Sequence, residues 1–172
     1  MGRYISLPVL LVVVILQSTV VPYFRIAGGG PDLILMVVLS WMMLAGLEEG
    51  LIWAIVGGIL QDLVTGVPTG TTALALVVIA GLENLVLGPV GKGNLIIPPL
   101  VASVCTLLYQ ALLAVLLAIL GRLSILGRSG DLGYVVTYVT LPTVMFNVIL
   151  MLPIFRLVGF VFQATRPRRV SL

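Results

Sequence analysis

Histidine is absent from the 172 residues, and cysteine occurs once, at Cys105. Without imidazole there is no His proton shuttle, no His metal ligand and no Ser-His-Asp triad. A single cysteine inside an apolar run forms no intrachain disulfide and no Cys-rich metal site. Charge is nearly as scarce. Nine Lys and Arg with six Asp and Glu make up 9% of the chain, against roughly 25% in soluble domains. Neither GxxxxGKS/T nor GxGxxG occurs, so nucleotide binding has no motif behind it. The net charge is only +3, and no basic cluster interleaved with aromatics points to nucleic acid. The first apolar run also lacks an A-x-A cleavage pattern, so a retained first helix is expected rather than a signal peptide.

What remains is apolar. Hydrophobic residues are 60% of the chain, and the mean hydropathy is +1.27. A soluble protein cannot bury that much apolar surface and still cover itself with polar groups. Uncharged runs cover Tyr4–Phe24, Leu63–Leu82, Gly93–Gly121 and Leu132–Phe155. About 20 apolar residues at 1.5 Å rise cross a hydrocarbon core of about 30 Å. The pattern predicts an all-α polytopic membrane bundle of six transmembrane helices, or five, forming one integral membrane domain over residues 1–172. Six helices leave room for loops and tails but not for a soluble catalytic domain, and no enzymatic activity or cofactor is expected. Six crossings place Arg3, Lys92, Arg166, Arg168 and Arg169 on one side and Arg25, Arg122 and Arg128 on the other. The positive-inside rule then puts both termini in the cytoplasm.

Local signals divide the runs. Gln17-Ser18-Thr19 lies late in the first helix, and Pro22-Tyr23-Phe24-Arg25 suits the headgroup level. Gly28-Gly29-Gly30 makes a turn, and Pro31-Asp32 opens the second helix, where a carboxylate complements the helix dipole. Gly46-Leu47-Glu48-Glu49-Gly50 reads better as a hairpin turn in water than as two carboxylates at mid-membrane. Its arms are expected at about 17 and 15 residues, short for a bilayer. The third helix carries small residues, Gly50, Ala54, Gly57 and Gly58, in a stripe that permits close helix packing. It ends near Asp62, before a Gly/Pro turn. Glu83 lies late in the fourth helix, where pairing with Lys92 or snorkelling would account for it. The sixth helix is expected over about Tyr134–Phe155 or a little beyond, kinked by Pro142 and by Pro153 as a second candidate. The tail arginines Arg166, Arg168 and Arg169 are expected to touch anionic headgroups.

Asp32 and Asp62 fall on the same, extracytoplasmic side of the hairpin, with Arg25. An anion near a helix C-terminus opposes the dipole, so Asp62 needs a compensating donor or cation. The bland reading makes Asp32 a helix start and pairs Asp62 internally. The functional reading makes the three residues a polar partner-binding site. Trp41 and Trp53 sit within the hairpin arms and are expected to pack.

Gln17-Ser18-Thr19 followed by Pro31-Asp32-Leu33 resembles the start of the rod-shape-determining MreD family. Glu49-Gly50, then Gly57-Gly58-Ile59-Leu60-Gln61-Asp62-Leu63, then Gly66-Val67-Pro68-Thr69-Gly70 is similar to that family's most recognisable segment. The resemblance implies a non-catalytic protein of the bacterial inner membrane. It would bind MreC and work in the elongation complex that builds lateral-wall peptidoglycan. The wider complex holds the RodA glycosyltransferase, its penicillin-binding transpeptidase and the MreB filament. The family fold is said to resemble the substrate-binding subunits of energy-coupling-factor transporters. A vitamin-type binding subunit is therefore the alternative, although the first apolar run contains none of the alanines of their docking motif.

Overall fold

The computed structural model of the protein describes residues 2–26, 28–87, 96–121, 133 and 135–165. Six helices account for most of them: α1 Gly2–Thr19, α2 Leu33–Ala45, α3 Leu47–Thr65, α4 Thr71–Leu87, α5 Ile97–Ile119 and α6 Leu141–Thr165. A short 3-10 turn, Val21–Phe24, follows α1, and a wider π-helical stretch, Val135–Thr140, leads into α6. Among the described residues the only strand-like pairing is the bridge between Ile26 and Gly29.

The organising element is α2. Its sequence is apolar around the whole circumference, and every residue from Ile34 to Met43 is buried. A helix of that kind has no face to offer water and is enclosed either by lipid or by protein. The other five surround it. Helices α1, α3, α4, α5 and α6 follow one another around a ring that closes back on α1, and α2 touches all five.

Glycine sets how closely α3 approaches its neighbours. A Cβ on Gly50 would lie 2.6 Å from the Met42 sulfur, and one on Gly57 would lie 3.2 Å from Ile34 and 3.3 Å from Leu10. A Cβ on Gly58 would run into the Ala73 backbone and lie 2.8 Å from its Cβ. Together with buried Ala54, the small stripe is thus used inside the chain, against α2, α1 and α4.

The hairpin between α2 and α3 turns where the sequence places it. Gly46 has φ 87°, a left-handed value that stops α2. The arms differ from expectation, being 13 and 19 residues. Asp32 caps α2 one residue before Leu33, so Pro31 stands outside the helix and α2 measures only about 20 Å. At the hairpin end Trp41 and Trp53 stack with centroids 3.9 Å apart, and Phe162 meets Trp41 edge-on at 5.5 Å. Glu48 is exposed, whereas Glu49 accepts the Trp41 indole N–H at 3.3 Å.

Helix α6 runs to Thr165, ten residues past Phe155 and further than the small extension expected. Arg156 does not stop it because the side chain is exposed on the outer surface and can reach polar surroundings along its own stem. Pro142 stands where the π-helical stretch gives way to α6, and its missing N–H removes one bond from the helical ladder at that junction. Ile97–Ile119 and Val136–Thr165 are each long and apolar enough to cross a bilayer. The remaining helices are shorter, except α3, which carries Glu48, Glu49 and Asp62. The expected roles of Lys92, Arg122, Arg128, Arg166, Arg168 and Arg169 lie outside the described residues.

Gly58→Ala should lower stability by about 1–3 kcal/mol through overpacking against Ala73. Gly81→Ala in α4, where a Cβ meets nothing within 4 Å, should be neutral or stabilising by about 0.5–1 kcal/mol. Thermal unfolding of both variants in detergent checks the contrast.

Candidate functional site: a polar cavity at the head of the central helix

A short buried helix leaves its first-turn N–H groups inside the bundle, where side chains rather than water must meet them. Neighbouring helices supply those partners. Asp32 Oδ1 accepts from the Leu35 N–H at 3.0 Å. The Asp32 N–H donates to Asn147 Oδ1 of α6 at 2.9 Å, and Asn147 Nδ2 donates to Thr106 Oγ1 of α5 at 3.0 Å. From α1, Gln17 clamps the same turn twice. Its Oε1 accepts from the Leu33 N–H at 2.8 Å, and its Nε2 donates to the Pro31 carbonyl at 3.1 Å. The Gly30 N–H donates to Thr143 Oγ1 at 3.3 Å. Three helices are thus tied to the head of α2 by hydrogen bonds.

Asp62 performs a parallel task in the next turn. It is buried in the last turns of α3, and its carboxylate accepts from the Gly70 N–H at 2.7 Å and the Thr72 N–H at 3.0 Å. The compensating donors are therefore amides at the start of α4, whose dipole favours an anion there. Gly66, at φ 71°, closes α3 and donates its N–H to the Asp62 carbonyl at 3.1 Å. Among the described residues no ion pair joins Asp62 to Arg25.

Between these two capped turns lies a cavity of about 400 Å³. Asp32, Gln61, Thr72, Tyr109, Gln110 and Arg25 supply its polar wall. Tyr109 is fully buried, within hydrogen-bonding reach of Thr72, and stands in the field of both Asp32 and Asp62. The side-chain oxygens of Gln61 and Gln110 are buried without a hydrogen-bond partner. Arg25 is exposed, and its stem folds over Gly30, where an added Cβ would lie 3.0 Å from Arg25 Cγ. Beside it Tyr23 and Phe24 point outward, at 88% and 58% exposure.

The structure thus brings Arg25 and Asp32 to one cavity and places Asp62 behind its wall. It does not make the small stripe part of that site. Glu83 is buried against the bundle with one oxygen unpartnered, so it is not a snorkelling side chain. Sequence reasoning passed over Asn147, Tyr109, Gln110 and Thr143. Uncharged polar residues inside apolar runs were the available signal, because such groups in membrane helices need partners. Among the described residues no group of three Asp, Glu, Cys or His could hold a metal ion.

A family model described as rod shape-determining protein MreD matches residues 1–164. No curated protein and no solved structure matches the chain. None of these findings supports the transporter alternative.

Asp62→Ala should strand the buried Thr72 N–H at about 1–3 kcal/mol, and the partly buried Gly70 N–H at less. Asp62→Asn keeps one acceptor oxygen and should cost less. Amide hydrogen exchange at Gly70 and Thr72 reads the difference directly, with faster exchange expected in the alanine variant.

Proposed function

Because the chain belongs to the MreD family of rod shape-determining membrane proteins, we propose that it acts in shape determination as a non-catalytic scaffold. In this reading it binds MreC and helps to organise lateral-wall peptidoglycan synthesis with RodA, its transpeptidase and the MreB filament. It does so from the bacterial inner membrane, with six crossings and both termini cytoplasmic. The family match over residues 1–164 carries the reading.

The packing favours a particular surface for a partner helix. The small stripe is spent on α1, α2 and α4, and Asp62 is spent on capping α4. Neither is open to another protein. Helix α6 is different. Over its apolar window only 17% of residues are buried, against 50% in α5, and Leu141, Met145 and Ile149 face outward. Such a long outer face gives a membrane helix a continuous packing partner, through van der Waals contact rather than a hydrophobic driving force. Of the three polar candidates, exposed Arg25 is the one a partner's extracytoplasmic part can reach; Asp32 is available only through the cavity.

The test is a mild-detergent pull-down of the tagged protein from native membranes, with a photo-crosslinker at Ile149 in α6 or at Leu85 in α4. MreC should co-purify and crosslink from position 149 and not from 85. Absence of MreC from the recovered chains would overturn the scaffold reading. Crosslinking from 85 alone would keep the partner and move the face.

A further inference from the structure

We propose that the cavity at the head of α2 is a binding site for a phosphoethanolamine group. Its ammonium would point inward to Asp32, Gln61 and Gln110, and its phosphate would lie at the mouth beside Arg25.

The inner wall calls for a donor. Gln110 sits on α5 with 7% exposure, lines the cavity, and leaves its side-chain oxygen without a partner. Gln61 does the same from α3. Buried polar atoms left unpaired are costly, and both oxygens belong to side chains that line this cavity, so a donor placed there gives them a partner after a small side-chain rotation. Water alone could meet that need in a polar space of about 400 Å³. The α2 amides meet part of the Asp32 charge, and water supplies no counter-charge for the rest. Asp32 is 6% exposed on the same wall, and among the described residues no Arg or Lys pairs with it. A buried anion is stabilised by a cation with hydrogen bonds to give, and an ammonium supplies both.

The mouth calls for an anion. Arg25 is exposed there, folded over Gly30, and makes no ion pair among the described residues. A guanidinium is suited to phosphate oxygens. Its neighbours Tyr23 and Phe24 project outward, as aromatic residues do at the headgroup level where lipid phosphates lie. An inward ammonium and an outward phosphate therefore match the wall from bottom to rim. The volume lies in the range that takes small ligands, about 300–1,000 Å³. The group could belong to a phospholipid or to its free, water-soluble headgroup ester. The site shares Arg25 with the partner reading, but nothing in it requires MreC.

The experiment uses the full chain. In the first arm, nanodiscs of phosphatidylethanolamine and phosphatidylglycerol are opened in the mass spectrometer and the retained lipids counted. In the second, glycerophosphoethanolamine is titrated against the protein in phosphatidylglycerol-only discs, with the unfolding midpoint as readout. Selective retention of phosphatidylethanolamine identifies the lipid as the source. A rise in midpoint with the soluble ester, without lipid retention, identifies the free headgroup. Gln110→Leu and Arg25→Gln should each weaken the response about tenfold, equivalent to about 1.4 kcal/mol. In phosphatidylglycerol-only discs without the ester, Gln110→Leu should unfold no earlier than the wild type, because it removes an unpaired polar group. That measurement separates loss of the site from loss of the fold. Equal retention of both lipids, no response in either arm, or responses unchanged in both variants would each overturn the proposal.

Discussion

Burial of α2 on all sides is the constraint from which the rest of the bundle follows. Thirteen residues with no polar face are too short to cross the bilayer alone, and five helices are arranged around them. The ring has to close tightly, and α3 makes the closest approaches by having no side chain where it meets Met42, Ile34 and Ala73. Small residues in membrane helices let backbones come near enough for dispersion to hold them, and here that capacity is consumed within one chain.

The same constraint creates the polar end. A helix of about 20 Å does not reach across a hydrocarbon core of about 30 Å, so its head stops inside the bundle. Its N–H groups must be satisfied there, because lipid offers no hydrogen bonds. Gln17, Asp32, Thr143 and Asn147 meet that demand, and Asp62 meets it for α4. The space above the short helix is then walled by polar side chains from several elements. Structure-holding and ligand-facing roles sit side by side, with Asp32 in both. The internal packing leaves open the exposed loop around Arg25, at the cavity mouth, and the outer face of α6.

Parts of this arrangement were readable in the residues themselves. The hairpin at Gly46 was legible because two glutamates do not sit unpaired at mid-membrane and glycine permits the turn. The small stripe was legible as a packing device, and Asp62 as an anion in need of donors. The length of α6 was not, because a charge reads as a helix end although Arg156 can extend along its stem to polar surroundings. The identity of Asp62's donors was equally hidden, since backbone amides of the next helix leave no mark in composition.

Hydropathy, charge scarcity and the order of Gly, Pro and Asp signals by themselves determined a helical membrane bundle and its family, because those properties depend on local sequence and on the solvent. Which helix lies at the centre was decided only in three dimensions. Apolar residues look alike in sequence whether they face lipid or protein, and burial on every side distinguishes α2 from α5 and α6, which are also apolar but keep open outer faces. Asn147, Thr106 and Gln17 are distant in the chain and meet only because the ring closes. The cavity exists for the same reason: it is the volume left where a short central helix ends and longer neighbours continue.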